Sequence, residues 1–313
     1  MKSHKNVVLG SGPLGLAVVK DLYERNESVC LVNRSGYAPV PDSVEVVSAD
    51  LYDSGRAFDV IKGSDTVYMC ASPSYSGWEE KYPPLVRSVI TGVQYANARL
   101  VFADNANLHG KVNGTIFEDT PINPLTRKSR IRARIAGELI SAHAAGDLDV
   151  TIGRGSDFFG PNVKNSYLGE RIFLPLLKGK TTHPIGIIDH PHTFTYINDF
   201  GKALVILGEH PETSGHLYHV PNSETQSTRT VLEMVFALAG MPVKIKPMDV
   251  WITRINSLFI PDINKIIERA GHFDHPFVVD GTLFSRTFGL SATLTESALR
   301  STIEWYRDIP EFV

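Results

Sequence analysis

The feature that most constrains this chain is an alternation of apolar runs around a glycine-rich turn near its start. The apolar run Val7–Leu9 precedes the hexapeptide Gly10-Ser11-Gly12-Pro13-Leu14-Gly15, which has the form G-x-G-x-x-G. Apolar residues at helical spacing follow up to Leu22, and a second apolar run covers Val29–Val32. A glycine turn between a strand and a helix, followed by another strand, is the context in which this motif binds a dinucleotide. An ordinary strand–helix turn rich in glycine is the alternative.

Each glycine of the motif has its own expected purpose. Gly10 permits a tight turn, Gly12 lets the backbone approach a pyrophosphate, and Gly15 allows close packing of helix and strand. Pro13 and Leu14 begin the helix, whose first N–H groups and dipole favour bound phosphates. The motif and its neighbours therefore predict cofactor binding at residues 10–15.

The end of the second strand favours NADP over NAD as the cofactor. NAD-binding units carry an acidic residue at this position, which accepts hydrogen bonds from the ribose hydroxyls. Here Asn33-Arg34-Ser35 occupies it, and no acidic residue lies between Glu27 and Asp42. A guanidinium suits a 2′-phosphate by its charge and its forked donors. A solvated arginine at the start of a loop is the alternative for Arg34.

Bulk properties exclude several classes of protein. A net charge of −3 and a pI near 6.4 provide no electrostatic attraction to nucleic acid or to an anionic membrane. The cysteines, Cys30 and Cys70, both lie in apolar runs, which indicates buried thiols in a reducing compartment. The first strand begins too early for a secretory signal, and no apolar run is long enough to span a bilayer. We expect a cytoplasmic protein without nucleic-acid or membrane partners.

The rest of the chain predicts an α/β fold with a doubly wound parallel sheet and a smaller C-terminal lobe. Further strands are predicted at 44–47, 66–70, 100–102 and 149–152, with helices at 55–61, 79–98 (after an interruption at Pro83-Pro84) and 127–145. We predict a dinucleotide-binding domain over residues 1–155. Residues 156–313 are mainly a substrate-binding lobe, in which a segment at about 190–220 returns to the sheet. Residues 251–267 have helical spacing and are expected to pack over the substrate.

The order of these features resembles the extended short-chain dehydrogenase/reductase superfamily, which includes NAD(P)-dependent epimerases and dehydratases. The resemblance covers nearly the whole chain. It is carried by the glycine motif and by short segments that follow the later strands, at 49–51, 70–73, 104–110 and 157–161. Residues 119–124 before the long helix and 194–199, which resemble the return into the cofactor domain, complete the order. It implies that Asp50 and Leu51 contact the adenine and that Ala71 and Ser72 line the ribose and pyrophosphate channel. Asp50 as a plain turn residue is the alternative. Pairing of family members through two long helices makes a homodimer possible.

The catalytic pattern of that superfamily is missing. Its members use a Ser or Thr with a Tyr-x-x-x-Lys pair, and this sequence contains no Tyr-x-x-x-Lys. Alignment with the superfamily puts Lys128 at the Tyr position, Arg132 at the Lys position and Asn105 at the Ser/Thr position. Arg132 retains the charge and donors to hold the cofactor ribose, and Asn105 has a donor for a substrate oxygen. Lys128 is either a general acid or part of a solvated basic face over 127–134.

Other polar and aromatic residues are weaker candidates for substrate contacts. Tyr75 and Trp78 lie in a predicted loop after the fourth strand, and His109 and Asp157 lie at predicted strand ends. Each is better explained as a packing or turn residue than as a catalyst. Four further histidines are expected to be loop residues rather than metal ligands, namely His190, His192, His216 and His219.

The sequence therefore predicts an NADP-dependent oxidoreductase or epimerase-like enzyme that acts on a carbonyl or hydroxyl of a small molecule, with NAD as a possible cofactor. Two alternatives stay open. One is an NADP-binding redox sensor or regulator without hydride chemistry, which the missing tyrosine favours. The other is an enzyme that catalyses a non-redox elimination or cyclisation on the same fold.

Overall fold

The computed structural model describes residues 4–73, 77–248 and 273–309. Tyr75 and the 251–267 stretch lie outside the described residues. Contacts divide the chain into two compact units. The first consists of Met1–Leu108, Arg127–Gly155 and Phe200–Val220, and the second of His109–Thr126, Ser156–Asp199 and Pro221–Val313.

The strands are short, and those of the first unit are mostly buried. In the described residues they are β1 (Asn6–Leu9), β2 (Val29–Asn33), β3 (Glu45–Ser48), β4 (Thr66–Met69), β5 (Arg99–Asn105), β6 (Thr115–Ile116), β7 (Val150–Gly155), β8 (Asp157–Phe159), β9 (Pro191–His192), β10 (Phe194–Tyr196), β11 (Leu217–His219), β12 (Gln226–Ser227) and β13 (Val278–Val279).

The helices alternate with the strands of the first unit. In the described residues they are α1 (Pro13–Glu24), α2 (Ser54–Ile61), α3 (Trp78–Ala96), α4 (Arg127–Ala144), α5 (Glu170–Leu177), α6 (Ile197–Glu209), α7 (Thr228–Ala239), α8 (Thr282–Phe288) and α9 (Thr295–Asp308). None of these helices combines the length and apolar character that a membrane crossing requires.

The first unit is organised around a seven-stranded parallel sheet of order β11-β7-β5-β4-β1-β2-β3. Strand β1 pairs with β2 on one side and β4 on the other, so the connections reverse direction at β1. In open α/β sheets ligands bind at this reversal, beyond the carboxyl ends of the strands. The doubly wound α/β fold predicted from the sequence is confirmed.

Burial of apolar strands and helix faces stabilises this sheet. Strands β1 and β4 are buried along their whole length, as alternation with helices on both faces requires. Helix α1 buries Val18, Val19 and Leu22, the apolar positions that the sequence spacing predicted. Helix α2 is capped by Asp53, whose Oδ1 accepts hydrogen bonds from the N–H groups of Gly55 (2.8 Å) and Arg56 (3.1 Å).

Helix α3 differs from its prediction because it runs through Pro83 and Pro84 without a break. Each proline removes one backbone hydrogen bond, which normally ends or kinks a helix. Here the same stretch buries Tyr82, Leu85 and Val86 against the core of the first unit. Tertiary packing therefore maintains a helix that local sequence disfavours.

The second unit contains small two-stranded sheets and a separate apolar core. Its pairs are β8 with β10, β6 with β13, and the antiparallel β9 with β12. Helices α5, α7 and α9 contribute most of the core, in which the rings of Phe173 and Tyr306 stack at 4.8 Å.

Two histidines that the sequence predicted in loops lie instead in strands and are buried, namely His192 in β9 and His219 in β11.

Candidate functional site

Two glycines of the G-x-G-x-x-G motif have no room for a side chain. Gly10 adopts φ +102°, and a Cβ there would lie 2.7 Å from the Cα of Ala71, which follows the neighbouring strand β4. A Cβ on Gly15 would overlap the carbonyl oxygen of Gly10. Glycine is required at Gly10 by the positive φ and the backbone of Ala71, and at Gly15 by the backbone of the turn.

Gly12 differs from both, since nothing in the structure lies within 4 Å of where its Cβ would be. It is the N-cap of α1, with φ −70° and ψ 176°, and no side chain of the described residues caps this helix end. The first N–H groups of a helix have no partner within the helix. An open space in front of unshared N–H groups at a helix N-terminus fits a phosphate, so the residues present fit a dinucleotide.

Asn33 organises the loop after β2. Its Nδ2 donates to Ser11 Oγ (2.9 Å) and to the carbonyl of Tyr37 (2.8 Å), and its Oδ1 accepts from the N–H of Gly36 (2.7 Å). Ser35 Oγ donates to the same Oδ1 at 3.1 Å. Asn33 thus joins this loop to the glycine turn. An acidic side chain at position 33 would lack the two N–H donors of Nδ2 that make these contacts.

Arg34 is exposed in this loop, and its carbonyl accepts a hydrogen bond from Ser48 Oγ at 2.9 Å. No carboxylate in the described part of the chain forms an ion pair with its guanidinium. On the next strand end, Asp50 is exposed, and its Oδ1 accepts from the N–H of Tyr52 at 3.1 Å. Leu51 beside it is buried in the apolar core. The predicted adenine contacts of Asp50 and Leu51 stay predictions.

Trp78 does not lie in a loop, as the sequence suggested, but is the first residue of α3 and only 5% exposed. Its Nε1 donates to Ser72 Oγ at 2.9 Å, which connects α3 to the segment after β4. Its ring stacks on Tyr82 with the centroids 4.5 Å apart. The loop position predicted for Trp78 is therefore wrong, and a substrate contact through this buried ring stays a prediction.

The residue at the superfamily's lysine position, Arg132, belongs to a network of charged groups. Its Nη1 lies 3.4 Å from Asp104 Oδ1, and its guanidinium carbon lies 5.2 Å and 5.8 Å from the ring centroids of Trp78 and Tyr82. The other carboxylate oxygen of Asp104 accepts from Nε and Nη2 of Arg154, both at 3.0 Å. The side chains of Asp104 and Arg154 are only 1% and 2% exposed, whereas Arg132 is 25% exposed.

Asn105 and Lys128, the other predicted catalytic residues, are both in the first unit. Asn105 ends β5, and its Oδ1 accepts from the N–H of Asn107 at 2.9 Å, at the start of a 3-10 helix. The carboxamide oxygen of Asn105 thus holds the backbone at this turn. The Nδ2 group is the part of the side chain that can donate a hydrogen bond, as the predicted role requires. Lys128 is half-buried on α4, one turn before Arg132. These placements leave the predicted roles untested.

Burial shifts the titration of groups beside the network. It raises the pKa of Tyr82 to about 12, with the positive charge of Arg132 acting in the opposite direction. It also raises the pKa of the Cys70 thiol to about 12. Both groups are therefore protonated at neutral pH, and the Tyr82 phenol is not poised as an acid or base there.

The second unit holds the remaining candidates. His109 is fully buried, with Nδ1 3.4 Å from the carbonyl of Pro121. Asp157 begins β8 and lies 2.9 Å from Nε2 of the buried His192. A cavity of about 520 Å³ is lined by charged, aromatic and apolar residues: Lys164, Asn165, Ser166, Tyr167, Glu170, Arg171, Ile172, Leu174, Pro175, His183, Pro184 and Ile185. Within the described residues, no cluster of three metal-ligating side chains occurs.

Sequence reasoning missed three residues of the network, namely Asp104, Arg154 and Tyr82. One signal was visible for two of them. Asp104 and Arg154 each lie two residues beyond a predicted buried strand, 100–102 and 149–152, and a charge that is buried there needs a partner. The sequence did not reveal that they are partners of each other.

Comparisons with known proteins agree with this geometry. Residues 7–220 match the NAD dependent epimerase/dehydratase family. The protein YeeZ of Escherichia coli K12 is 24% identical over 230 residues, which cover 69% of this chain and 77% of YeeZ.

Solved structures show the same fold. They include DesIV, a dTDP-glucose 4,6-dehydratase of Streptomyces venezuelae solved with NAD bound (19% identity, TM-score 0.81, 98% of both chains). A UDP-N-acetylglucosamine 4-epimerase of Methanobrevibacter ruminantium M1, in complex with UDP-N-acetylmuramic acid, has 18% identity and a TM-score of 0.80, covering 98% of this chain and 99% of that one. The resemblance inferred from the motifs is confirmed, and the chain belongs to the NAD dependent epimerase/dehydratase family.

Proposed function

We propose that this protein binds NADP in its first unit and acts with it on a carbonyl or hydroxyl group of a small molecule, as an oxidoreductase or an epimerase-like enzyme. The observation that carries the proposal is the open N-terminus of α1 at Gly12, at the point where the sheet reverses direction. Family membership supports nicotinamide dinucleotide dependence at the coarser level.

The preference for NADP rests on the loop after β2. Asn33 fixes the loop by four hydrogen bonds, and the loop presents the exposed guanidinium of Arg34. A guanidinium without a carboxylate partner suits a 2′-phosphate, to which it can donate two hydrogen bonds. In this proposal Ser35 and Asn33 shape the loop, and Arg34 supplies the charge.

In this proposal the two halves of the cofactor lie on opposite sides of β1, an arrangement that the order of the strands supports. With the pyrophosphate at Gly12 and the 2′-phosphate at Arg34 after β2, the nicotinamide half extends towards β4 and β5. Ala71 and Ser72 follow β4 on that side. Arg132 then holds the ribose, since it retains donors beyond the one directed at Asp104.

The reacting group of the substrate needs a hydrogen-bond donor and a proton source. We assign the first role to Nδ2 of Asn105 and the second to the ammonium of Lys128, which replaces the missing tyrosine. When bound, the nicotinamide supplies hydride transfer, and the protein contributes position and electric field. Asn105 stabilises negative charge that develops on the substrate oxygen.

The substrate lobe is assigned to residues 156–313. The second unit contains the 520 Å³ cavity, in which the basic residues Lys164, Arg171 and His183 outnumber the acidic Glu170. Such a lining suits a small molecule that carries an anionic group. Asp157 and His109 belong to the same unit and stay candidates for substrate contacts.

The alternative of an NADP-binding sensor without hydride chemistry is favoured by one observation. The chain has no Tyr-x-x-x-Lys, so the usual proton donor of the superfamily is missing. Tight NADPH binding without turnover on a broad panel of carbonyl compounds is the outcome that this alternative predicts. Turnover that proceeds without any bound nicotinamide cofactor is the outcome expected of a non-redox elimination or cyclisation, because an epimerase also leaves its cofactor unconsumed overall but requires it for the reaction.

Substitution of Arg34 tests the cofactor assignment. Loss of a charge-assisted pair costs about 1.5–3 kcal/mol, so Arg34→Ala should weaken NADPH binding about 10-fold or more. NADH binding should change little, because NADH lacks the 2′-phosphate. Arg56→Ala is the matched control, since Arg56 is a similarly exposed arginine on α2. Equal losses for both cofactors, measured by fluorescence titration, would exclude Arg34 as the phosphate ligand.

A further inference from the structure

The two carboxylate oxygens of Asp104 contact different arginines. One oxygen accepts two hydrogen-bond donors from Arg154, and the other faces Nη1 of Arg132 at 3.4 Å. The two arginines come from different elements, β7 and α4. A single buried aspartate therefore links the sheet to the helix that carries the predicted cofactor residue.

The pair on the sheet is complete without Arg132. Asp104 and Arg154 are opposite each other in the register of β5 and β7, and both side chains are almost fully buried. A buried ion pair needs good geometry and additional hydrogen bonds to offset the loss of hydration, and Asp104 and Arg154 have a two-donor contact. Arg132 is not required to neutralise Asp104, and its addition leaves the three groups with a net charge of +1.

Arg132 is constrained from a second direction. The stacked rings of Trp78 and Tyr82 lie beside its guanidinium at distances typical of cation–π contacts. With one edge directed at Asp104 and one face at the rings, the guanidinium is limited in its rotation, while a quarter of the side chain stays exposed. This arrangement prepares the remaining donors for a ligand before it arrives, which reduces the entropy lost on binding.

We propose that Asp104 is a positioning residue of the cofactor site, which, together with Trp78, fixes Arg132 so that its exposed donors meet the cofactor. This inference rests on the proposed function. It differs from a purely structural role in one measurable respect. A structural Asp104 affects stability alone, whereas a positioning Asp104 affects cofactor affinity through Arg132.

A double-mutant cycle separates the two roles. Asp104→Asn, Arg132→Met and the double variant are compared with the wild type for the dissociation constant of NADPH and for urea unfolding. We expect Asp104→Asn to weaken NADPH binding about 10-fold when Arg132 is present, and less than about 3-fold when Met replaces it. The stability loss caused by Asp104→Asn should be similar in both backgrounds, because Arg154 loses its partner in each. An equal fold-loss of NADPH affinity in both backgrounds overturns the proposal.

A second cycle covers the case in which Asp104→Asn does not fold. Trp78→Leu removes the ring beside Arg132 and leaves the Asp104 carboxylate in place. It also removes the hydrogen bond from Trp78 to Ser72, so the cycle is measured in a Ser72→Ala protein, in which that bond is already absent. In this protein we expect Trp78→Leu to weaken NADPH binding several-fold when Arg132 is present and to have no further effect beside Arg132→Met. Additive losses overturn the proposal. A wild-type protein that binds neither NADPH nor NADH contradicts the proposed function itself, and this outcome is distinct from additive losses in a protein that binds cofactor.

Discussion

Substitution of Gly12 by alanine separates cofactor binding from folding more cleanly than any other change in the glycine turn. Gly12 has φ −70° and ψ 176°, which alanine adopts without strain, and its Cβ would have no neighbour within 4 Å. Glycine-to-alanine changes at compatible angles stabilise a protein by about 0.4–1 kcal/mol, and alanine is a poorer N-cap by a similar amount. We therefore expect the free energy of unfolding of Gly12→Ala to stay within about 0.5 kcal/mol of the wild type.

The added methyl should nevertheless weaken cofactor binding. It occupies the space in front of the first N–H groups of α1, where we place the pyrophosphate. Loss of one charge-assisted hydrogen bond to a phosphate costs about 1.5–3 kcal/mol. The dissociation constant of NADPH should therefore rise about 10- to 150-fold. NADH should be weakened by a similar factor, because both cofactors carry the pyrophosphate.

Titration of NADPH fluorescence and urea unfolding of the same samples provide the measurement. Gly137→Ala is the matched control, since Gly137 is exposed within α4 and its Cβ would have no neighbour within 4 Å. It should stabilise the protein by about 0.5–1 kcal/mol without changing NADPH affinity. A folded Gly12→Ala protein that binds NADPH within twofold of the wild type would refute the assignment of the phosphate site.

Two further predictions concern Lys128 and the thiols. If Lys128 is the general acid, Lys128→Ala should lower turnover about 10²- to 10⁴-fold and leave NADPH affinity intact. Arg130→Ala, on the same helix, is the control and should retain turnover. A parallel loss of NADPH affinity in Lys128→Ala would contradict the role. Burial raises the pKa of Cys30 and Cys70 from 9.0 to about 12, so the folded state keeps both thiols protonated while the unfolded chain ionises above pH 9.0. The free energy of unfolding should be independent of these thiols below pH 9.0 and should fall as the pH rises from there towards about 12. Urea unfolding at about pH 8 and about pH 10 measures this fall, which should be smaller for Cys30→Ala than for the wild type. An equal fall in the two proteins would contradict the prediction.

Local patterns predicted the parallel sheet and the glycine turn because both depend on short stretches of sequence. Buried strands between helices on both faces must be apolar along their length, and this pattern is visible in the sequence without knowing which strands pair with each other. Within the motif, the steric requirement at Gly15 is local, since its Cβ would overlap the carbonyl oxygen of Gly10. Strand and helix bounds therefore agreed with the structure to within a few residues, as for the helix predicted at 127–145, which is α4 (Arg127–Ala144).

Where packing competes with local preference, the sequence reading was wrong. Pro83 and Pro84 were expected to interrupt α3, but burial of one face of the helix outweighs their local cost. Trp78 was expected in a loop, because neither a capping residue nor the spacing of apolar residues indicates that α3 begins there. His192 and His219 were expected in loops, yet strand pairing buries both.

The sequence by itself determined that this chain folds as a doubly wound α/β protein with a glycine turn at Gly10–Gly15 between β1 and α1, because the apolar runs and the motif are patterns of neighbouring residues. Only the tertiary structure decided what surrounds Arg132. Asp104 and Arg154 are 50 residues apart in the chain, and the register of β5 and β7 makes them partners. The physical reason is that a charge network depends on distances in space, and a linear pattern does not contain the distances that sheet pairing creates.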